Sequence, residues 1–408
     1  MTILQINKFY YPKGGADVVM LELSALLERR GHTVVPFAMM SSENQRTPYA
    51  HSFVSHVETE GVSFGWEGLR TAGRMLYSRE ARKKLAALIG TTKPDIAHVH
   101  NVYHQLSPSI FSPLRRAKIP VVMTVHDWAL ISPNYTLFDH GVICERGAKH
   151  PWSVIGHRCI KDSVVASAWA AFVFNVHKTA RLYERGIDRY IAPATFVKEM
   201  LVSHGFPEGK IVVLPHFLDV KKITPTFVGD YVAYVGRLSP EKGLPVLLEA
   251  ARALPETPFK IAGTGPEEER LRATVAHHEL RNVEFVGRLD GVSRDRFYRN
   301  ALCLVVPSIW YEVFGRVVLE AYAAGKPVIA SRIGALPEVV REGETGLLFP
   351  PGDPRALAEA IRLLVEDVSR RRTMGEVARR VVELEYTPEL HYERMLRIYK
   401  EVIASHGT

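Results

Sequence analysis

Two glutamates, Glu312 and Glu320, stand with seven residues between them in the stretch SIWYEVFGRVVLEAYAAG, Ser308–Gly325. The first precedes a run of helical periodicity and the second lies about two turns inside it. Gly315, between them, lets the backbone approach a ligand closely, and the start of the helix offers unpaired N–H groups to an anion. A diphosphate suits such a place, while carboxylates, each with several acceptor positions, suit the hydroxyls of a sugar. Upstream, GRLSPEKG sets Arg237 and Lys242 beside Gly236 and Gly243 at the end of a β-rich run. A guanidinium forks onto phosphate oxygens and an ammonium adds a point charge, so the pair can neutralise a departing diphosphate without a metal. Taken singly, the basic pair also reads as a solvated turn and the glutamates as the polar face of a helix. Their order on successive strand ends favours one shared site.

Those groups need a frame. Ile3–Asn7, Thr33–Ala38, Ile96–His100, Val121–His126 and Ala171–Asn175 read as strands, and Gly14–Gly15 leads into the amphipathic run Ala16–Arg30. A second series follows at Tyr231–Val235, Phe259–Ala262, Val283–Val286, Leu302–Val306 and Pro327–Ala330. Strands alternating with helices imply an α/β fold with parallel sheets. Two such units, joined around Leu214–Thr226, would face each other across a cleft with working loops at the carboxyl ends of their strands. The expected division is 1–214, a linker at 215–226, a second domain at 227–385 and a terminal segment at 386–408. Periodicity alone leaves that last helix free to pack on its own domain or on the other. His126 and Asp127 end the strand VVMTVHD, where a histidine serves either the core or a bound sugar.

The 408 residues carry a formal net charge of +8 and only three cysteines, Cys144, Cys159 and Cys303. The charge favours acidic partners such as nucleotides or anionic lipid, and the cysteines imply a reducing compartment and no disulfide framework. The N-terminal stretch reads as a buried strand and no segment has the length of a membrane span, so a cytoplasmic protein is expected, with peripheral contact at the inner face of the plasma membrane as an option. That option rests on one basic amphipathic helix: Arg70, Arg74, Arg79, Arg82, Lys83 and Lys84 beside Leu69, Met75, Leu76, Leu85 and Leu88. An ordinary solvated helix is the competing reading. Arg370–Arg379 reads as a solvated helical face. Cys144, His150, His157 and Cys159 are zinc-ligand types at spacings that match no regular site, and no other metal cluster stands out, so no metal is expected. No nucleic-acid recognition motif accompanies the positive charge.

The basic pair and EVFGRVVLE together resemble family 4 of the retaining glycosyltransferases, which have the GT-B fold of two Rossmann-like domains. GTGPE at Gly263–Glu267, FVG at Phe285–Gly287 and SRIGALPEVV at Ser331–Val340 extend the resemblance. It implies that Glu312 contacts the donor sugar with Val313, Phe314 and Gly315 offering backbone nearby, and that Glu320 holds the ribose. It also implies that Arg237 and Lys242 meet the donor phosphates and that the loops at Gly236, Gly263 and Gly265 line or support the nucleotide. His126 would face the donor sugar, positioning it and stabilising charge. Gly14 and Gly15 match a loop that approaches donor phosphates and acceptor, although Asp17 stands where the family more often has Glu. Asp17, Asp127 and Trp128 are acceptor-side candidates. The terminal helix is implied to return to the first domain.

The resemblance implies a UDP-sugar donor, with a GDP-sugar second, no further cofactor, and a saccharide or lipid-linked acceptor. HDWALISPNYTLFDHG is similar to enzymes of bacterial surface-polysaccharide assembly. LPHFLD, Leu214–Asp219, departs from the family's hinge pattern at His216–Phe217. A sugar phosphorylase and a nonenzymatic nucleotide-sugar-binding protein are the alternative readings.

Overall fold

The computed structural model describes residues 1–57 and 66–406, with the side chains of Trp66, Glu67, Leu69 and Lys222 outside that description. In chain order, β1 Thr2–Ile6, β2 Thr33–Phe37, β3 Ile96–Val99 and β4 Val121–Thr124 precede a small antiparallel hairpin, β5 Phe138–Asp139 and β6 Val142–Ile143. β7 Arg189–Ala192 and β8 Ile211–Val213 complete a parallel sheet ordered β2-β1-β3-β4-β7-β8. The second sheet comprises β9 Tyr231–Val235, β10 Phe259–Ala262, β11 Val283–Gly287, β12 Ala301–Val306, β13 Val328–Ser331 and β14 Gly346–Phe349. Its order is β11-β10-β9-β12-β13-β14, again parallel. Central strands such as IAHV and VIAS are buried at every position because helices cover both faces, which is why they read as continuous apolar runs.

This strand order places the cleft. The chain moves from β1 out to β2, then returns to lay β3 on the other side of β1. Loops leaving β1 and β3 therefore diverge and open a crevice at their carboxyl ends. The second sheet does the same between β9 and β12, whose following loops are GRLSPEKG and SIWYEVFG.

Three expectations are corrected. Ala171–Asn175 lies inside the helix Val164–Thr179, started by Ser163, whose side chain accepts from Ala166 N. Its apolar residues run far beyond strand length, and alanines favour the helix. The basic stretch forms two helices, Trp66–Leu76 and Arg79–Thr92, because Ser78 caps the second. Leu69's side chain lies outside the described residues; Arg74 pairs with Glu80, and Lys84 reaches Phe53 O as well as Glu80. In Arg370–Arg379, Arg371 is buried and donates to Leu364 O and Val365 O, while Arg379 donates to Ile223 O. Those two arginines tie backbone carbonyls and do not belong to a solvated face.

The terminal helix Pro388–His406 packs Met395, Ile398, Tyr399 and Val402 against Ile3, Ile96 and Val122 of the first sheet and Leu26 of the helix Gly15–Arg29. No helix among the described residues is long and apolar enough to cross a membrane.

Candidate active site

At the switch point of the second sheet, the loops after β9 and β12 touch. Gly243 has φ +69°, and a Cβ there would lie 1.9 Å from Pro307 O. This contact brings Lys242 Nζ to 2.7 Å from Glu312 Oε1 and 4.9 Å from the Trp310 ring centroid. Ser308 Oγ donates to the same oxygen at 2.6 Å. Burial alone would raise the Glu312 carboxyl, but the Lys242 charge and the donated hydrogen bonds outweigh it and hold its pKa below the ordinary glutamate value. Gly334 fixes the glutamate from behind: a Cβ would lie 2.5 Å from Glu312 N, and Ala335 N donates to Glu312 O at 2.9 Å.

Arg237 is exposed and forms no ion pair among the described residues. A phosphate could take its fork without displacing a carboxylate. Gly263 and Gly265 have a packing task of their own. A Cβ on Gly263 would lie 1.8 Å from Gly236 O, and one on Gly265 would lie 2.2 Å from Leu238 O. They let the GTGPE loop press backbone to backbone on the Arg237 loop. Gly315, at φ +86°, starts the helix Arg316–Ala323. Val313 packs into the core of the first domain and Phe314 into that of the second.

Glu320 is buried to 8% exposure, with Tyr298 Oη donating at 2.9 Å and Arg316 Nε at 3.4 Å. Arg316 also forks onto Glu22 of the first domain at 2.6 and 2.7 Å. Burial would lower the arginine's pKa, but Glu22 and Glu320 raise it. Further links cross the cleft: Trp128 Nε1 donates to Tyr311 O at 3.0 Å, Tyr311 Oη to Glu145 at 2.9 Å, and Thr195 N to Glu338 at 2.7 Å.

On the first domain, Gly14 and Gly15 open the helix Gly15–Arg29, and a Cβ on Gly15 would meet nothing within 4 Å. Asp17 is buried at 4% exposure and is held within its own domain. Its two oxygens accept from Asn7 Nδ2 at 2.7 Å and Gly14 N at 3.0 Å, and the side chain caps the helix in a site where burial raises its pKa. Trp128, 1% exposed, fills the domain contact. Asp127 accepts from Ala129 N at 3.0 Å, and burial pushes its pKa up to about 6.

His126 belongs to a stacked row of rings. His98 on β3 and His100 just past its end share one face, with centroids 4.3 Å apart; His126 follows at 5.2 Å and His216 at a further 5.6 Å. Phe314 lies 4.9 Å beyond. Burial holds His98 and His126 neutral, with pKa values lowered to about 3. The i, i+2 spacing of His98 and His100 on a strand puts both on one face, a period-two signal present in HVH. Sequence reasoning missed this row, as it missed Glu22 and Tyr311, whose contacts depend on how the domains meet, and Tyr298, which reaches Glu320 from a separate helix of the same domain.

Among the described residues no group of three or more His, Cys, Asp or Glu is arranged to hold a metal ion. Cys159 Sγ instead lies 3.3 Å from Asp139, and His157 meets Arg146.

Two parallel-sheet Rossmann-like domains facing across their switch points make the GT-B class of transferase. Residues 13–222 match the model described as Glycosyltransferase Family 4, and residues 228–381 match Glycosyl transferases group 1. The chain belongs to glycosyltransferase family 4 and is an enzyme of the hexosyltransferase class. It is similar to the glycogen synthase of Mycobacterium tuberculosis, 39% identical over 409 residues, with 93% of this chain and 89% of that one covered. The phosphatidyl-myo-inositol mannosyltransferase of Mycobacterium leprae is 27% identical over 400 residues, covering 96% and 94%. Among solved structures, sucrose-phosphate synthase from Thermosynechococcus elongatus has a TM-score of 0.75 at 22% identity, covering 99% of each chain. HepE of Anabaena, in complex with UDP and glucose, has a TM-score of 0.71 at 19% identity, covering 98% of this chain and 100% of that one. These structural likenesses bear on the fold.

Proposed function

We propose that this glycosyltransferase moves a sugar from a UDP-sugar, with a GDP-sugar as second choice, to a saccharide or lipid-linked acceptor, with retention at the anomeric carbon. The observation that carries the reading is the Lys242–Glu312 pair beside an unpaired Arg237. Lys242 and Arg237 would receive the diphosphate; Glu312, held ionised, would accept from hydroxyls of the donor sugar. Glu320 would hold the ribose, oriented by Tyr298 and Arg316. Gly14 and Gly15 would admit the phosphates from the opposite wall, with His126 beside the reacting centre and Asp127 towards the acceptor. The acceptor oxygen would bond to the anomeric carbon as the bond to the diphosphate breaks, and its proton would pass to the departing phosphate oxygen. Alignment and stabilisation of the leaving charge are the protein's part, so no metal is required. UDP is favoured because HepE, a neighbour in fold, is described with UDP and UDP-glucose. The acceptor class follows the similarity of HDWALISPNYTLFDHG to surface-polysaccharide enzymes. The protein would work in the cytoplasm, with its basic first-domain helices near the inner membrane surface.

The test is nucleotide release from a panel of UDP- and GDP-sugars, with membrane extracts as acceptor, followed by NMR of the product's anomeric configuration. One donor should turn over well above the Glu312→Ala variant and give a product of unchanged configuration. Turnover with an inverted product would overturn retention, and no release from any donor would overturn the donor assignment.

A further inference from the structure

The row of rings contains a directed chain of hydrogen bonds. His100 Nε2 lies 2.9 Å from Gln5 Oε1, and His100 Nδ1 lies 2.9 Å from His126 Nε2. β1, β3 and β4 are adjacent, with His98 opposite Gln5 on one side and Val122 on the other, so Gln5, His98, His100, Thr124 and His126 all lie towards the carboxyl ends of neighbouring strands. His98 is fixed separately, by Tyr399 Oη and Thr124 Oγ1, each at 2.7 Å. His100 is fully buried and cannot exchange its partners for water.

A neutral imidazole has one N–H and one lone pair. Gln5 Oε1 can only accept, so His100 carries its proton on Nε2 and its Nδ1 must accept in turn. His126 must then carry its own proton on Nε2, which leaves Nδ1 as a lone pair. With Gln5 turned this way its amide nitrogen is directed to the Tyr399 hydroxyl, although that contact falls short of a full hydrogen bond. The reverse order needs Gln5 rotated so that it donates, and every donor in the row reverses with it.

We propose that His100 is a positioning residue that fixes His126 as the Nε2–H tautomer, so that His126 meets its ligand as a hydrogen-bond acceptor through Nδ1. His126 then serves a hydroxyl of the donor sugar or acceptor and supplies no proton to the departing diphosphate. His216 and Phe314 close the far side of the ring, so the hinge and the second domain hold the same orientation. The inference rests on the placement of His126 beside the reacting centre.

The experiment is long-range ¹H–¹⁵N NMR of the full chain labelled in histidine, with His126→Gln to assign the signal. The wild type should show His126 protonated at Nε2 alone. His100→Asn, whose amide oxygen can stand in for Nδ1, should keep that pattern, whereas His100→Leu should give a mixture of tautomers. In steady-state kinetics His100→Leu should lower kcat roughly ten- to hundredfold with little change in donor KM, and His100→Asn should recover most of it. An Nδ1–H tautomer in the wild type, or an unchanged tautomer in folded His100→Leu, overturns the proposal. Full activity in His126→Gln, with the tautomer as stated, would instead overturn the placement of His126 at the reacting centre.

Discussion

Lys242 Nζ and Glu312 Oε1 lie 2.7 Å apart, joining the loops after β9 and β12 at the point where the second sheet reverses direction. Each neutralises the other in a site that is otherwise buried, so neither can be removed without leaving its partner exposed to the cost of burial.

Lys242→Met should therefore change the acid response of the fold. Glu312 has its pKa depressed in the native state, so its stabilising share is present above the unfolded value, near 4.5, and is lost as pH falls through the folded value. Without Lys242, burial dominates and the carboxyl titrates above its ordinary value, so Glu312 becomes destabilising towards neutral pH. The melting temperature of the variant relative to wild type should fall as pH rises from about 4 to 7. A constant difference across that range would mean the two groups are not coupled.

Arg316 has two carboxylate partners in two domains, and its variants should separate them. Glu22→Gln removes a charge that is 37% exposed in its side chain, and about 1 kcal/mol or less is expected from such a pair. Arg316→Ala also leaves buried Glu320 with only the more distant Arg294, 3.8 Å away, as a cationic partner. Calorimetric titration with the nucleoside diphosphate should show a loss of about tenfold or more in Arg316→Ala and within about threefold in Glu22→Gln. Equal losses would indicate that closure of the domains, and not Glu320, sets the affinity.

Tyr298→Phe deletes a single buried hydroxyl donated to Glu320 at 2.9 Å. The lost bond should cost about 1–2 kcal/mol in unfolding free energy, measured by urea denaturation, and should weaken nucleotide binding in the same variant. Unchanged binding would remove Glu320's orientation from the account.

Buried histidines give the chain a second acid sensitivity. His98 and His126 titrate near about 3 and His104 and His391 near about 4 when folded, against an ordinary 6.5. The unfolded chain binds more protons in that window, so stability should fall progressively as pH drops from about 6.5 towards 4. His391→Gln should flatten the slope of melting temperature against pH. A slope unaltered by that change would place the acid sensitivity elsewhere.

The GT-B class was legible because the sheets are parallel and doubly covered: strands such as VVMTV and YVAYV must be apolar throughout, and their loops must follow their carboxyl ends. The meeting of Lys242 with Glu312 was legible for the same reason, since both follow strand ends of one domain that its switch point brings together. The structural tasks of Asp17 and Trp128 were not legible, because a carboxylate at a glycine-rich turn can cap a helix as well as meet a ligand, and an aromatic after a strand can seal a domain contact. Ala171–Asn175 misled because a buried helix and a buried strand both present unbroken apolar runs. Glu22 gave no local signal because its role arises only when Arg316 lies between the two domains, and Tyr298 gave none because it meets Glu320 from a separate helix of the second domain.

The donor cleft is tested most directly by thermal stabilisation with UDP, GDP and ADP in the wild type and in the Glu320→Ala and Arg237→Ala variants. A ligand bound to the native fold raises its melting temperature. The account predicts a shift with one nucleotide, UDP foremost, that shrinks in both variants. A folded wild type that responds to none of the three, or that responds equally in all proteins, would contradict the assignment of this cleft to the donor.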